Sequence, residues 1–340
     1  MESRFQEAFA SKRILVTGGT GSIGREIVEQ LLRCDPAVVR ILSRNENNQF
    51  AAWQALRHHA NVRFLLGDIR DKERLARAVE DIDIVFHAAA LKHVPLCEYN
   101  PFEAVRTNVL GTQNLIEVCL DGGVKRLVAI NTDKSVSPIN TMGATKLLSE
   151  KLVVAANLYK GNREAAFANV RFGNVIGSNG SVLPLFIEQA RRGGPLTVTD
   201  PAMVRFFMTI PQAVTLVLEA ATRATGGETF ILKMPVMRVL DLARAVADLL
   251  APGLDLPVLT TGIRPGEKVH EELMTAEEAT IAEELESMYV IRPWDGATVA
   301  APAVPHSTRT ARLMNLEEIK EYLVKHRLVE PVRTVTARVA

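Results

Sequence analysis

The sequence has few cysteines, no excess of charge and no long apolar run, and each absence excludes a class of protein. Three cysteines occur in 340 residues, and no two are spaced Cys-x-x-Cys. An odd number without that spacing argues against a disulfide framework, a metal site or a redox pair, and fits reduced thiols. The 40 basic and 39 acidic residues leave a formal net charge of +1. No basic stripe with interleaved aromatics is present, so nucleic acid is not an expected partner.

Apolar residues are frequent but are never gathered into a run of membrane length. They make up 47% of the chain, yet no stretch reaches about 18 uninterrupted apolar residues. The N-terminal sequence MESRFQE lacks the apolar core of a signal peptide. We therefore expect a cytoplasmic protein with no membrane partner, long enough for one large α/β unit or two domains.

Short runs rich in β-branched residues alternate with amphipathic helical stretches over the first half of the chain. The runs are Arg13–Thr17, Val38–Leu42, Val62–Leu66, Ile82–His87, Leu127–Ile130 and Phe167–Arg171. Strands that alternate with helices predict an α/β fold, a doubly wound parallel sheet of the Rossmann type with both faces covered.

The turn after the first run contains Gly18, Gly21 and Gly24. The first glycine permits a tight turn, the second lets a pyrophosphate approach the backbone, and the third lets the helix lie close to the strand. The phosphates then meet the N-terminus of the helix. A glycine triplet alone is a weak indication, but its place at the first strand-to-helix turn favours a dinucleotide cofactor. Its expected contacts here are Thr17, Gly18, Gly21, Ser22, Ile23 and Gly24.

The end of the second run distinguishes the two nicotinamide cofactors. It offers Ser43 and Arg44 but no carboxylate, and an arginine favours the 2′-phosphate of NADP. NAD is the alternative if Arg44 is a solvated surface residue and Glu46 takes the ribose. Further contacts are expected after the third and fourth runs, where Asp68 can accept from the adenine amine and small residues let the backbone pass close. These are Asp68, Ile69, Ala88, Ala89 and Ala90.

A hydroxyl, a carboxylate and an amine follow one another at the end of the fifth run, as Thr132, Asp133 and Lys134. Ligands of α/β proteins bind at the carboxyl edge of the sheet, where these residues are expected. An adjacent Asp and Lys often form only a surface ion pair, so spacing alone leaves catalysis and a structural role equally open.

The alternation of strands and helices ends near residue 174, where loops rich in Gly and Pro separate shorter elements. We expect residues 1–174 to form the NADP-binding Rossmann domain with the catalytic residues. Residues 175–330 are expected to form mainly a smaller substrate-binding region, with the chain able to return to the sheet, and residues 331–340 a loose tail. Asn315 and Glu318 have the spacing of a capping box at the start of a helix that ends at Lys325.

Six segments together carry a resemblance to a known family. They are Ala88–Pro95, Glu98–Pro101, Thr132–Lys134, Gly143–Lys146, Arg171–Val175 and Arg264–Lys268. They resemble the polysaccharide-biosynthesis branch of the extended short-chain dehydrogenases, which contains inverting UDP-N-acetylglucosamine 4,6-dehydratases and related sugar-nucleotide epimerases. The resemblance covers the chain from roughly residue 10 to residue 290.

The resemblance implies a lyase with an internal redox cycle. The sugar 4-hydroxyl is oxidised by NADP, the C5 proton is removed, water is lost across C5 and C6, and a hydride returns to C6. By position, Lys134 resembles the C5 base, Asp133 the acid that protonates the departing 6-hydroxyl, and Thr132 a hydrogen-bond partner of the sugar. Lys146 resembles the lysine that holds the nicotinamide ribose. A lysine base needs a pKa well below about 10.4, which desolvation and a neighbouring cation favour.

Met142 departs from the pattern, because a short-chain dehydrogenase carries its catalytic tyrosine one helical turn before the lysine. A thioether cannot take a proton. Some members of the branch also carry methionine here, so the resemblance implies that the chemistry is retained. Asp133, or a water held by Thr132, would then take the 4-hydroxyl proton. Two alternatives stay open: a 4-epimerase, which needs no C5 base, and a non-catalytic NADP-binding protein.

The resemblance also implies contacts with a UDP-sugar. A guanidinium fork matches phosphate oxygens, so Arg205 and Arg264 are expected at the diphosphate, and Glu267 at ribose hydroxyls. The loop Gly177–Val182 suits a nucleotide. The expected substrate contacts are Lys92, Asn174, Ser181, Val182, Arg205, Arg264 and Glu267.

Two long helices are predicted over Pro101–Leu120 and Met142–Leu158. They resemble the helices that form the four-helix dimer seam of the family. A homodimer or a larger homo-oligomer is therefore expected.

Overall fold

The structure of the protein, a computed structural model, describes residues 2–178, 180–293 and 306–332. Residues 333–340 of the predicted tail and Asn179 of the predicted nucleotide loop lie outside the described residues. Two compact units divide the chain. The sheet unit comprises Met1–Phe172, Ile210–Lys233 and Glu272–His306, and the second unit comprises Gly173–Thr209, Met234–Glu271 and Ser307–Ala340.

Strands and helices alternate along the chain. The strands are β1 (Arg13–Thr17), β2 (Val38–Ser43), β3 (Val62–Leu66), β4 (Ile84–His87), β5 (Arg126–Thr132), β6 (Ala166–Phe172), β7 (Asn174–Ile176), β8 (Leu196–Val198), β9 (Val204–Thr209), β10 (Thr229–Leu232), β11 (Val236–Arg238), β12 (Val258–Thr260), β13 (Ala282–Glu284) and β14 (Met288–Ile291). The α-helices are α1 (Glu2–Phe9), α2 (Ser22–Leu32), α3 (Glu46–Leu56), α4 (Lys72–Val79), α5 (Val94–Tyr99), α6 (Pro101–Ala104), α7 (Gly111–Asp121), α8 (Thr141–Tyr159), α9 (Val182–Arg191), α10 (Ile210–Arg223), α11 (Val239–Leu250), α12 (Ala276–Ile281) and α13 (Leu316–Lys325).

The sheet unit contains one nine-stranded sheet, in the order β13-β14-β10-β6-β5-β4-β1-β2-β3. Its strands from β3 to β10 in that order run parallel, and β14 and β13 are antiparallel to their neighbours. Strands β1, β4 and β6 are buried along nearly their whole length, as expected where helices cover both faces. The predicted doubly wound α/β fold is therefore confirmed.

Strand order reverses between β1 and β4, which pair directly although β2 and β3 lie between them in the sequence. A sheet of this kind opens a crevice at the carboxyl ends of the strands on either side of that point. The glycine turn follows β1, the three alanines follow β4, and Thr132 ends the neighbouring β5. The fold therefore brings the predicted cofactor and catalytic segments to one edge.

The helix predicted over Pro101–Leu120 is interrupted by a π-helical segment, Val105–Leu110. Asn108 in that segment donates from Nδ2 to the Leu91 carbonyl (3.0 Å) and accepts from the Leu91 amide (2.8 Å). A π-helical turn accommodates such a side chain at the cost of regular hydrogen bonding. Periodicity alone did not indicate this turn.

The second unit is built from short elements. It has a three-stranded sheet, β11-β9-β7, and a two-stranded sheet, β12-β8. Its core contains residues of α9, α11 and α13, among them Phe186, Leu242 and Leu323. The predicted capping box is confirmed: the Asn315 side chain accepts from the Glu318 amide at 3.0 Å, and Glu318 accepts from the Asn315 amide at 2.8 Å. Among the described residues, none of the helices combines the length and the apolar character that crossing a bilayer requires.

Candidate active site

The glycine turn after β1 is fixed by close approaches of the main chain. Gly18 has φ of +68°, and a Cβ there would lie 2.7 Å from the Ala89 amide nitrogen. At Gly24 a Cβ would lie 2.3 Å from the Gly18 carbonyl oxygen. At Gly21 the nearest atom would be that same oxygen, at 3.4 Å, so this part of the backbone is open to a ligand. The turn at the start of α2 therefore fits a dinucleotide phosphate.

Polar side chains at the ends of β2 and β3 lie around the expected adenosine position. Ser43 shares a hydrogen bond of 2.7 Å with Thr20 in the glycine turn. Asp68 accepts from the Nη2 (2.7 Å) and Nε (3.0 Å) atoms of Arg70, and Arg44 lies 3.8 Å away. Burial alone would raise the pKa of Asp68, but the hydrogen bonds from Arg70 leave it below its usual value. Arg44 is 53% exposed and so can meet an anion.

Two other predicted cofactor contacts are engaged within the protein. The Ile69 side chain is buried and packs so close to Gly111 that a Cβ on Gly111 would lie only 2.8 Å from its carbon atoms. The Ala88 amide donates to the Thr17 carbonyl at 3.0 Å. Ile69 thus offers its backbone to a cofactor, while its side chain packs against α7.

The three predicted catalytic residues lie together in a turn that follows β5. The Asp133 side chain is fully buried, and its Oδ1 accepts from Thr132 Oγ1 (2.8 Å) and Lys134 Nζ (3.0 Å). Within the part of the chain that the structure describes, Oδ2 of Asp133 has no hydrogen-bond partner. A buried carboxylate oxygen without a donor is costly, and is expected where a ligand supplies the missing hydrogen.

Lys146 lies inside the sheet unit on helix α8. Its Nζ donates to the carbonyl of Ile130, in β5, at 2.6 Å. Burial lowers the pKa of Lys146 to about 8, although the Glu150 carboxylate acts in the opposite direction. The Lys146 amine therefore loses its proton at a lower pH than a surface lysine does.

The first turn of α8 lies directly against the turn Thr132–Lys134. Asn140 caps the helix by accepting from the Gly143 amide at 2.7 Å. A Cβ on Gly143 would lie 2.2 Å from the Lys134 carbonyl oxygen. Gly143 belongs to the motif Gly143–Lys146, and its structural role is this close approach.

Met142 is 4% exposed and lies in a small apolar cluster. Its buried neighbours are Cys97 and Ala104, and Leu91 and Val94 pack against them. Such surroundings suit a thioether, which needs no hydrogen-bond partner. Met142 is therefore a packing residue of this cluster.

A buried polar chain that sequence analysis missed connects the glycine turn to α8. Thr17 Oγ1 lies 2.7 Å from His87 Nδ1, and His87 Nε2 lies 3.1 Å from Thr112 Oγ1. Thr112 donates to the Asn108 carbonyl and lies 3.1 Å from Ser149 Oγ. Because its hydrogen is used there, Thr112 accepts from Nε2, and Nδ1 accepts from Thr17.

His87 in this chain is uncharged at neutral pH. Burial, with a smaller effect from the Lys146 charge, lowers the pKa of His87 to about 3. The chain of groups from Thr17 to Ser149, which we call the neutral chain, therefore connects the end of β1 to α8 through hydrogen bonds between uncharged groups.

The predicted substrate contacts lie in different surroundings. Arg205, in the second unit, is buried and donates to the carbonyls of Val204 (2.8 Å), Lys268 (2.7 Å) and Val269 (3.1 Å). Arg264 is exposed, and its amide donates to Glu267 at 3.1 Å.

The other predicted substrate contacts are spread over both units. Asn174 begins β7, Ser181 occupies the N-cap position of α9 without a side-chain capping hydrogen bond, and Val182 is the first residue of that helix. Lys92 lies on the sheet unit, after β4, and is exposed. The roles of all these residues, Arg205 and Arg264 included, stay predictions.

Comparison with known sequences supports a family assignment. A sequence model of the family described as polysaccharide biosynthesis protein matches residues 14–293. The chain is 53% identical to an uncharacterized membrane protein of Methanocaldococcus jannaschii, over 93% of this chain and 96% of that protein. It is 45% identical to the inverting UDP-N-acetylglucosamine 4,6-dehydratase of Campylobacter jejuni, over 84% of each. A UDP-glucose 4-epimerase of Rickettsia rickettsii is 37% identical over 93% of this chain and 96% of its own length.

Solved structures agree with this assignment. Pen from Bacillus thuringiensis is 44% identical and superimposes with a TM-score of 0.88, over 93% of this chain and 98% of that chain. The dTDP-glucose 4,6-dehydratase DesIV of Streptomyces venezuelae, solved with NAD and TYD bound, is 26% identical with a TM-score of 0.68, over 76% and 86%. The chain therefore belongs to the polysaccharide biosynthesis protein family, with the fold of the extended short-chain dehydrogenases.

Proposed function

We propose that the protein is an NADP-dependent UDP-N-acetylglucosamine 4,6-dehydratase, a hydro-lyase that yields a 4-keto-6-deoxy sugar. The observation that carries the proposal is the buried Asp133 carboxylate, with one oxygen held by Thr132 and Lys134 and the other without a hydrogen-bond partner among the described residues. A base and an acid within one turn are what loss of water across a carbon–carbon bond requires. The 45% identity to the Campylobacter jejuni dehydratase supports the same choice.

The chain's own groups can move each proton in such a cycle. Asp133 takes the proton of the sugar 4-hydroxyl, directly or through a water on Thr132, and later delivers it to the departing 6-hydroxyl, which leaves as water. Lys134, acting as the neutral amine, would remove the C5 proton, exchange it with solvent and deliver a proton to C5 at the end. A dinucleotide bound at the glycine turn would supply a reversible two-electron oxidation, used first at C4 and in reverse at C6. Met142 takes no part in proton transfer.

The proposed cofactor is NADP, held by residues of the sheet unit. The open backbone at Gly21 and the start of α2 suit its pyrophosphate. Arg44, more than half exposed, would meet the 2′-phosphate. Lys146 would hold the nicotinamide ribose. Comparing NADPH and NADH binding to the purified protein tests this choice, and equal affinities for wild type and Arg44→Ala would contradict it.

The nucleotide end of the substrate is proposed to meet the second unit. Arg264 is available for the diphosphate because its guanidinium is exposed, and Glu267 beside it would accept from ribose hydroxyls. For Arg205 the fit is less direct, since main-chain carbonyls already take its donors. Its Nε also lies 3.9 Å from the buried Glu271 carboxylate, so its proposed role is to hold the loop Lys268–Val269.

We also propose a homo-oligomer that forms in the cytoplasm. Large apolar side chains are exposed along α5, α6 and α8, including Leu96, Tyr99, Phe102 and Leu158. Monomeric proteins rarely expose so many on neighbouring helices, and a second copy would cover them. Light scattering of the purified protein measures the mass directly.

A 4-epimerase is the alternative that the Rickettsia rickettsii relative favours. Epimerisation oxidises and reduces the same carbon and needs no base at C5, so Lys134 would have no step to perform. The two reactions therefore leave different marks on the sugar.

NMR of UDP-N-acetylglucosamine with the protein in deuterated water distinguishes them. A 4-keto-6-deoxy product with deuterium at C5 is the expected result. A 4-epimer without deuterium at C5 would identify an epimerase, and an unchanged sugar a non-catalytic NADP-binding protein. Asp133→Asn is expected to stop oxidation as well as elimination, so NADPH formation from bound substrate in that variant would contradict the proton relay.

A further inference from the structure

Helix α8 places a lysine and a glutamate one turn apart inside the protein. Lys146 and Glu150 are both buried, and residues four apart on a helix normally pair when their charges are opposite. Within the described residues, however, Lys146 makes no ion pair with Glu150. Its Nζ donates instead to the Ile130 carbonyl, at 2.6 Å. Something else must hold the Glu150 carboxylate.

Arg171 in β6 holds it. The guanidinium donates to both oxygens of Glu150, from Nε at 3.2 Å and from Nη2. The same group donates to both oxygens of Glu278, at 2.8 and 2.9 Å, and to the Leu273 carbonyl at 2.8 Å. All five N–H donors of Arg171, which is 1% exposed, are thus used.

Arg171 is not the only positive charge that acts on the two carboxylates of this cluster. Glu150 and Glu278 surround the Arg171 guanidinium, Lys146 also interacts with Glu150, and Lys151 also interacts with Glu278. Burial opposes the charge on Arg171, but the two carboxylates raise the pKa of Arg171 above its usual value. Arg171 is therefore permanently charged, and Lys146 is the member of the cluster whose charge can change.

We propose that Arg171 is a positioning residue: it keeps the Glu150 carboxylate from closing on Lys146, so that the Lys146 amine stays at the end of β5. The cofactor role of Lys146, on which part of this inference rests, belongs to the proposed function. Without Arg171, Glu150 has Lys146 as its nearest cation on the same face of α8. The amine would then leave Ile130, pair with Glu150 and turn away from the expected position of the nicotinamide ribose.

This competition can be measured on Lys146 itself, in the full chain without cofactor. The protein is labelled with ¹³Cε-lysine, and the Lys146 signal is assigned by its loss in Lys146→Met. Arg171→Met should raise the pH midpoint of that signal by about one unit or more, since a released carboxylate favours the ammonium. Glu150→Gln should lower it. A midpoint that Arg171→Met leaves unchanged overturns the inference.

A double variant separates positioning from a general structural effect. In Glu150→Gln/Arg171→Met the carboxylate that shares a helix face with Lys146 is gone, and the remaining one, Glu278, is on α12, so the midpoint should lie closer to that of Glu150→Gln than to that of Arg171→Met. An upward shift of the same size in both backgrounds would overturn the inference. Phe167→Leu, a buried change in the same strand, is the matched control and should leave the midpoint unchanged while lowering the melting temperature. If Arg171→Met does not fold, Arg171→Lys, which lacks the fork, should give a smaller shift of the same sign.

NADPH binding, followed by its fluorescence, tests the link to the proposed function separately. Arg171→Met should weaken binding about tenfold, and Glu150→Gln in the same chain should restore it. If the midpoint shifts as expected while wild type binds neither NADPH nor NADH, the positioning inference stands and the proposed function fails. If wild type binds and turns over substrate while the midpoint does not move, the proposed function stands and the inference fails.

Discussion

Helix α8 is held on its two sides by different kinds of interaction. Ser149 ends the neutral chain that runs through Thr112 and His87, and the next residue, Glu150, enters the ionic cluster of Arg171 and Glu278. Removing one hydrogen bond between uncharged groups lowers the free energy of unfolding only a little, because each such bond contributes about 1 kcal/mol. A buried ion that loses its partner costs several times more. Helix α8 therefore has a neutral side at Ser149, where loss of a contact costs little stability, and an ionic side at Glu150, where loss of a contact costs more.

Breaking the ionic side should have the largest effect. Arg171→Met leaves the Glu150 and Glu278 carboxylates in the interior without their shared partner, and we expect a loss of about 3–5 kcal/mol in the free energy of unfolding. Urea unfolding monitored by circular dichroism measures it. A loss below about 1 kcal/mol would mean that water reaches the cluster and that the two sides do not differ as described.

The second effect concerns the charge of Lys146. Its pKa falls from the usual 10.5 to about 8 in the folded protein, so between these values the unfolded chain binds more protons than the folded one. Stability should therefore rise with pH across that window, by up to about 3 kcal/mol for a shift of this size. Unfolding free energies at pH 7.5 to 10.5 test it, and Lys146→Met should remove the rise. A flat profile for wild type would show that Lys146 is not desolvated.

Breaking the neutral side should cost less. His87→Phe removes the partner of the buried Thr17 hydroxyl, and we expect a loss of about 2 kcal/mol at pH 7. Because the pKa of His87 falls from 6.5 to about 3 on folding, wild type should also lose stability as the pH drops through that range. In His87→Phe the free energy of unfolding should therefore fall less steeply below pH 6.5, while its increase above pH 8 due to Lys146 should remain. Loss of both slopes would mean that the two sides are not independent.

The smallest change sharpens the comparison within one turn of helix. Ser149→Ala removes a single hydrogen bond of 3.1 Å to Thr112, which keeps its bond to the Asn108 carbonyl. We expect a loss of about 1 kcal/mol and no change in NADPH affinity. Glu150→Gln, one residue along, is the paired variant. If Ser149→Ala lowers the free energy of unfolding more than Glu150→Gln does, the neutral side contributes more to stability than the ionic side, and the comparison is reversed.

Local patterns predicted the parts of the fold that depend on local contacts. The glycine turn, the alternation of strands with helices and the capping box of Asn315 all involve residues a few positions apart. The turn at Thr132–Lys134 was predicted as one cluster for the same reason, since adjacent residues at a strand end cannot lie far apart.

Contacts between distant parts of the sequence could not be predicted in this way. His87 bonds to a residue 70 positions earlier, and Arg171 to one 107 positions later. Both residues end predicted strands, and nothing in the sequence pattern around either one indicates its partner. The apolar surroundings of Met142 likewise depend on Cys97 and Ala104, which only the packing of α5 and α6 against α8 brings near. Pairing of this kind follows from strand order, and strand order is not encoded in any short stretch.

The close approach at Gly143 limits how the site can be re-engineered. The main chain of α8 rests on the carbonyl of Lys134, with no side chain between them, and even an alanine methyl would overlap that oxygen. The distance between α8, which carries Lys146, and the turn that contains Lys134 is therefore set by direct contact between their main chains. A larger residue at position 143 cannot be used to adjust it. A change in reactivity would therefore have to come from new side chains at positions 132 to 134, while the backbone around them keeps its geometry.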